Sequence, residues 1–272
     1  MMISFIGGGN MACALIAGLA GKLTCGANIH VVDPNAEARE RLATRFGVTT
    51  CGQVDATLAA SDVIVLAVKP QQMREVAAAL LPHLAQTQPL IVSIAAGIRG
   101  ADLSRWLGGY GAIVRTMPNT PALIGQGITA LVAMDGVNPQ QKQAAGDIMA
   151  AVGQGVWLDD EAQIDAVTAV SGSGPAYVFY FIEAMQQAAV EMGLSEKHGR
   201  QLALATFAGA AQLAVQSDDP VPVLRQKVTS KGGTTHAALA SMEESGVKEK
   251  IVEAIKAAAA RGRELGDEMG RD

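Results

Sequence analysis

The chain has 272 residues, 49% of them apolar but only 17% charged and 4% aromatic, with 30 Gly, 10 Pro, 3 Cys and 4 His. Its charged share lies well below the roughly 25% of ordinary globular chains, so small and aliphatic residues must carry the packing, and intrinsic disorder is excluded. A net charge of -5 and a pI near 5.4 argue against a nucleic-acid binder that works by neutralising phosphates.

In chain order, short apolar runs recur at 3–6, 29–32, 63–68, 90–94, 112–116 and 128–133, and each reads as a buried strand. Helical patterns lie between them at 36–46, closed by Gly47, and at 71–84, straight after Pro70. Strands apolar on both faces alternating with helices imply a mostly parallel, doubly wound α/β sheet covered by helices, here over residues 1–160.

From residue 161 the strand pattern stops. Helices are predicted at 175–192, 196–215, 221–228, 234–244 and 248–269, giving an all-α second domain over 161–272. Ser195 is the expected N-cap of the second helix, and Thr234 or Thr235 that of the fourth. Within 202–215 only Thr206 and Gln212 are polar, so no solvent-facing stripe can be drawn. A helix apolar all round is buried all round. So small a helical domain can hardly enclose it alone, which predicts a second subunit packed against it.

The first apolar run meets glycines with no basic segment before it, so no signal peptide is expected, and 202–215 is too short to span a bilayer. Cys13, Cys25 and Cys51 form no CxxC pair and have no His at zinc-ligand spacing. They read as reduced thiols of a soluble, cytoplasmic protein, with no metal site, no membrane partner and no nucleic acid.

Chemistry concentrates in a few loops. Ile6 ends the first strand and Gly7-Gly8-Gly9-Asn10-Met11-Ala12 opens the next helix, expected at 14–23, as G-x-G-x-x-A. The first glycine permits a tight turn, Gly9 lets backbone approach a pyrophosphate, and small Ala12 allows close helix–strand packing. Asp33 ends the second strand, where an acid accepts hydrogen bonds from a ribose. Such an acid favours NADH, while Arg39 and Arg41 on the next helix keep NADPH open. Ala67-Val68-Lys69-Pro70 and Ala95-Ala96-Gly97 end later strands, and ligands of open parallel sheets lie beyond such carboxyl ends. Lys69 is read as a phosphate or surface contact rather than an acid.

Met117, Pro118 and Asn119 begin a stiff loop at another strand end, which suits an active-site wall or a rigid connector. Ser171-Gly172-Ser173-Gly174-Pro175 is good helix-start chemistry. Thr229-Ser230-Lys231-Gly232-Gly233-Thr234-Thr235-His236 joins a free backbone and hydroxyls to a helix start, an anion site suited to a carboxylate. Acid–base groups are scarce. His30 falls in a predicted strand, His83 and His198 in helices, and His236 points away from Thr235. Reduction of an imine suits such a site, because a ring nitrogen that arrives protonated needs mainly orientation and hydride delivery.

Taken together, Gly-Gly-Gly-Asn-Met-Ala, Ala-Val-Lys-Pro at 67–70, Ser-Ile-Ala-Ala-Gly at 93–97, Met-Pro-Asn-Thr-Pro at 117–121, Ser-Gly-Ser-Gly-Pro-Ala-Tyr at 171–177 and Val-Thr-Ser-Lys-Gly-Gly-Thr-Thr at 228–235 closely resemble pyrroline-5-carboxylate reductase, in the family's order and over almost the whole chain. The resemblance implies reduction of 1-pyrroline-5-carboxylate to L-proline with NADPH or NADH, by a Rossmann domain followed by a helical dimerisation domain. It also implies homodimers gathered into larger rings, up to a decamer of five dimers. It places the carboxylate on Ser230 and the backbone of Gly232, Gly233 and Thr234, the ring nitrogen on Thr235 as the nearest thing to a catalytic residue, and Met117, Pro118 and Asn119 along the nicotinamide. Lys231 stands where many relatives carry proline and Asp33 where many carry a small or neutral residue, which leaves the coenzyme preference open. The rival readings are a reductase of another small imine or of a 3-hydroxy acid, and a non-catalytic dinucleotide-binding protein. The 3-hydroxy-acid reading lacks a lysine anywhere between Glu161 and Glu196.

Overall fold

Alternate residues of the central strands leave for opposite faces, and both faces are apolar. Val63 and Val65 join one core with Phe5, Leu15, Ile16, Leu42 and Ile148, while Ile64 and Leu66 join another with Met73, Leu80, Leu84 and Leu103. A strand buried on both faces needs helices on both sides, and the chain supplies them in sequence order. The computed structural model describes residues 1–271, apart from the side chains of Ala85 and Gln86.

Strands β1 (Ile3–Ile6), β2 (Ile29–Val32), β3 (Thr49–Cys51), β4 (Val63–Leu66), β5 (Leu90–Ser93), β6 (Ile113–Met117), β7 (Gly127–Ala133) and β8 (Gly153–Trp157) form one sheet in the order β3-β2-β1-β4-β5-β6-β7-β8. All neighbours are parallel except β6 and β7, which pair antiparallel with Val114 opposite Ala133. The strand order reverses between β1 and β4, the switch point at which open α/β sheets bind ligands. Helices α1 (Asn10–Leu19), α2 (Ala36–Phe46), α3 (Met73–Thr87), α4 (Gly100–Trp106) and α5 (Pro139–Ala150) supply the crossovers.

The remaining helices are α6 (Ile164–Val167), α7 (Gly174–Glu191), α8 (Glu196–Gln216), α9 (Val221–Lys227), α10 (Thr234–Glu244) and α11 (Val247–Met269), with a π-helical turn at Thr168–Gly172. Two compact units result. The first comprises Met1–Ser173 and the chain from Ala258 onward, and the second is Gly174–Ala257. The end of α11 therefore belongs with the sheet: Arg99 donates to Asp267 at 2.5 Å, Arg105 donates to the Gly270 carbonyl at 2.7 Å, and Met269 packs on the second core.

Several sequence expectations shift. The helix expected at 14–23 starts at Asn10, because Gly9 is already an extended N-cap, and stops at Leu19, because Ala20 leaves the helix and Gly21 turns at φ +79°. Gly233 rather than either threonine caps α10, so Thr234 and Thr235 lie within its first turn. Ser195 does cap α8, accepting from the His198 N–H. Strands β3 and β8 escape the hydrophobic pattern because β3 is three residues long and β8, Gly-Gln-Gly-Val-Trp, is mostly exposed.

Inside the second unit α7 and α8 lie close together. A Cβ on Gly199 would come within 3.1 Å of the Ala189 Cβ, and Ala203 is buried beside this seam. The apolar stretch of α8 is not enclosed by its own chain. Leu213 is 57% and Val215 75% exposed, and Phe179 and Tyr180 on α7 are exposed as well.

Candidate functional site

The candidate coenzyme segments leave the sheet at the carboxyl ends of its parallel strands. Because β1, β2, β4, β5 and β6 run parallel, Gly7, Asp33, Ala67, Ile94 and Pro118 all leave from the same edge. The Gly7 N–H donates to the Val32 carbonyl at 2.8 Å, the Asp33 N–H to Cys51 at 3.1 Å, the Ala67 N–H to Ile6 at 2.8 Å and the Ile94 N–H to Leu66 at 3.2 Å. The glycine-loop residues Ile6 to Ala12, Asp33, the 67–70 loop and the 95–97 loop are thus brought together.

Each glycine of the loop has its own role. Gly7 sits at φ +101°, and a Cβ there would lie 2.6 Å from the Ala67 carbonyl oxygen, so both its conformation and its packing demand glycine. At Gly9 a Cβ would meet nothing within 4 Å. Its backbone is ordinary, at φ -70° and ψ -173°. No demand of the fold requires glycine at that position; the open space above it fits a group that approaches the backbone closely, as a pyrophosphate does. Helix α1 then begins with no side-chain cap and no acid in its first turn, leaving N–H donors and the positive end of the helix dipole for an anion. Ala12 is 1% exposed, seated in the core.

Asp33 lies against this loop. Its Oδ2 accepts from the Gly8 N–H at 2.6 Å and its Oδ1 from the Asn35 N–H at 2.8 Å. Arg39 donates instead to the carbonyls of Asp33 and Pro34, at 2.7 and 3.0 Å, and Arg41 is exposed. Asn35 had no place in the sequence reading. The turn Asp-Pro-Asn before a helix carried the signal, since Asn is a strong N-cap and here accepts from Ala38.

Lys69 is exposed and Pro70 starts a short 3-10 turn, so this loop contributes shape. Ala95 is buried, Ala96 is exposed, and Gly97 turns at φ +77°. On the next loop Pro118 is buried, and the Asn119 side chain holds structure: its Oδ1 accepts from the Ile128 N–H at 3.0 Å, and its Nδ2 lies 3.3 Å from both the carbonyl and the hydroxyl of Ser171. A Cβ on Gly172 would collide with the Met117 Cε at 2.4 Å, so Met117 also packs on this turn.

In the second unit, residues 228–235 form the turn between α9 and α10. The Gly233 N–H donates to the Ser230 carbonyl at 3.0 Å, and a Cβ on Gly233 would lie 2.7 Å from Ser230 Oγ. Gly232 turns at φ +76°. The hydroxyl of Ser230 therefore faces the start of α10, whose first turn has neither a side-chain cap nor an acid. Thr234, Thr235 and Lys231 are exposed.

One histidine, His236, follows Thr235 in the first turn of α10 and is exposed, and the others lie in β2, α3 and α8. His30 is buried, with Nδ1 2.9 Å from Thr49 Oγ1 and Nε2 3.2 Å from Cys51 Sγ, and burial pushes its pKa down against a smaller opposing pull from Asp55. His30, Cys51 and Asp55 form the one His/Cys/carboxylate group of metal-binding dimensions among the described residues, with atoms within 4.8 Å of one another. Both ring nitrogens of His30 are already met by protein atoms, and the Cys51 thiol donates to the Gln53 carbonyl.

The family model for pyrroline-5-carboxylate reductase dimerisation matches residues 161–265, and a model for an NADP oxidoreductase, coenzyme F420-dependent, matches residues 2–97. Pyrroline-5-carboxylate reductase of Pseudomonas aeruginosa is 47% identical over 269 residues, 99% of this chain and 98% of that one. The chain belongs to the pyrroline-5-carboxylate reductase family. The family's enzyme from Haemophilus influenzae is 42% identical, with 97% of each chain covered. Among solved structures, the family member from Coxiella burnetii superposes with a TM-score of 0.90 at 39% identity over 97% of each chain. The Plasmodium falciparum pyrroline carboxylate reductase, solved with NADP bound, gives 0.87 at 31% identity over 98% of each.

Proposed function

We propose that this chain reduces the C=N bond of 1-pyrroline-5-carboxylate to give L-proline, using NAD(P)H held at the sheet edge and a carboxylate held at the start of α10. One observation carries these assignments. Helices α1 and α10 both start at a glycine N-cap with neither a side-chain cap nor an acid in the first turn, whereas α2, α5 and α8 are capped by their own Asn or Ser, α3, α4 and α6 carry an acid in the first turn, and α9 starts at Pro220. A glycine-capped start with open first-turn donors suits an anion, and the two in this chain fit the pyrophosphate of a coenzyme and the carboxylate of a substrate.

Ile6, Gly7, Gly8, Gly9, Asn10, Met11 and Ala12 would cradle the pyrophosphate, Asp33 the adenosine ribose, and residues 67–70 and 95–97 the remaining edge. When bound, the nicotinamide supplies the hydride that reduces the imine carbon. The Ser230 hydroxyl and the N–H groups of Gly232 and Thr234 would fix the carboxylate, with Gly233, whose N–H serves the Ser230 carbonyl, shaping the turn around it, and the Thr235 hydroxyl would hydrogen-bond the ring nitrogen. Met117, Pro118 and Asn119 would wall the nicotinamide side, with Asn119 acting through its ties to Ser171 and Ile128. Rate enhancement would come chiefly from proximity and orientation.

We further assign residues 1–160 to coenzyme binding and 161–272 to substrate binding and self-association, with homodimers, and a decamer of five dimers, as the assembled form in the cytoplasm. Supporting this are the exposed apolar faces of α7 and α8 and the match to a dimerisation model. No helix of the described residues is long and apolar enough to cross a membrane. Thr235→Ala should lower kcat/KM for pyrroline-5-carboxylate about tenfold or more, the worth of a hydrogen bond to a charged group, while the coenzyme Kd stays unchanged. Unchanged turnover would remove Thr235 from the mechanism.

A further inference from the structure

We infer that this chain is built for NADH and discriminates against NADPH, with Asp33 as the residue that sets the preference. The inference rests on the coenzyme reading above and concerns only the adenosine end of that site.

A carboxylate offers about four lone-pair positions, two on each oxygen. In Asp33 one position on Oδ2 is taken by the Gly8 N–H at 2.6 Å and one on Oδ1 by the Asn35 N–H at 2.8 Å. Each oxygen keeps one free position. A pair of acceptors side by side is the complement of a vicinal diol, the 2′- and 3′-hydroxyls of an unmodified ribose. The two backbone donors also hold the carboxylate against the glycine loop, so it cannot swing aside for a second anion. A Cβ on Gly8 would already lie 3.3 Å from Asp33 Oδ2 and 3.0 Å from Leu42, which shows how tightly loop and carboxylate are packed.

A 2′-phosphate needs donors or cations at the same place, and the backbone donors there and one arm of Arg39 are engaged elsewhere, while Arg41 lies exposed on α2. The Gly8 and Asn35 N–H groups serve Asp33. The Ala38 N–H, a first-turn donor of α2, is used by Asn35 Oδ1. Arg39 gives its Nη1 to the carbonyls of Asp33 and Pro34. The first turn of α2 adds a second acid, Glu37, and the two residues after Asp33, Pro34 and Asn35, bring no positive charge. The doubly charged phosphate would thus meet a fixed carboxylate whose adjacent backbone donors are already used.

The test compares NADH with NADPH on the full-length protein by steady-state kinetics with pyrroline-5-carboxylate and by direct nucleotide Kd from fluorescence. Wild type should favour NADH about tenfold or more in kcat/KM and in Kd, and Asp33→Ser should cut that ratio about tenfold or more through weaker NADH and stronger NADPH binding. Asp33→Asn, which keeps the shape and removes the charge, should relieve the NADPH penalty in the same direction and guards against a misfolded serine variant. An NADPH preference in wild type, or a ratio unmoved in both variants, overturns the assignment while leaving the reaction standing. Absence of turnover with either coenzyme would instead strike the reaction, and the Kd ratio would still decide the role of Asp33.

Discussion

Gly7 and Gly9 lie two residues apart in one loop, yet the fold demands glycine only at the first, and the proposed ligand role falls to the second. Gly7 holds a left-handed conformation against the Ala67 carbonyl, whereas Gly9 has ordinary backbone and empty space where a side chain would stand. Gly9→Ala should therefore leave Tm unchanged and weaken coenzyme binding about tenfold or more, while Gly7→Ala should lower Tm. Thermal melts beside nucleotide titration check both; a large loss of stability in Gly9→Ala would contradict the assignment. His30 makes a pH prediction. Burial lowers its folded pKa, so the unfolded chain takes up a proton near the ordinary 6.5 while the folded chain does not until lower pH. The stability that neutral His30 contributes is present above 6.5 and is lost as pH falls from there toward the depressed value. Chemical denaturation of wild type should show this acid-side decline, and His30→Gln should flatten it. At this scale the sequence exposes contiguous patterns well: the glycine loop and Asp33 are read from spacing alone. The partners of Asn119 and the tie between Gly8 and Asp33 are set by folding across distant positions, which no local pattern encodes.

At the scale of elements, strands buried on both faces and helices with clear ends are legible because hydrophobic burial imposes a period. β3 and β8 are edge strands without that constraint, and α5 is marked instead by its cap, Asn138 with Gln141 and Pro139, a polar signature that the apolar pattern passes over. The apolar stretch of α8 predicts a covering partner, and the structure leaves it uncovered within one chain, with Leu213 57% exposed. Leu213→Glu should weaken self-association, since a charge buried at an apolar contact costs far more than one left in water. Sedimentation should find wild type as a dimer or larger and the variant shifted toward monomer. A wild type that is monomeric at working concentration would refute the oligomer reading.

Across the whole molecule, few charges, few aromatics and many small residues amount to one design. Glycines leave backbone open at the starts of α1 and α10, small residues let α7 and α8 approach, and His236 beside Thr235 is the one histidine near the proposed site. The composition shift near residue 160 marks where strands end, but it does not reveal that α11 returns to the first unit from Ala258, because Arg99 and Arg105 find their partners there only once the chain is folded. Such a molecule should need no acid–base residue to act on its imine, only both partners in place. The most direct measurement follows NADH absorbance in the purified protein with and without 1-pyrroline-5-carboxylate while product is resolved by chirality. Coenzyme oxidation matched one for one by L-proline is the predicted result, and coenzyme that binds but is not oxidised when the imine is added would contradict it.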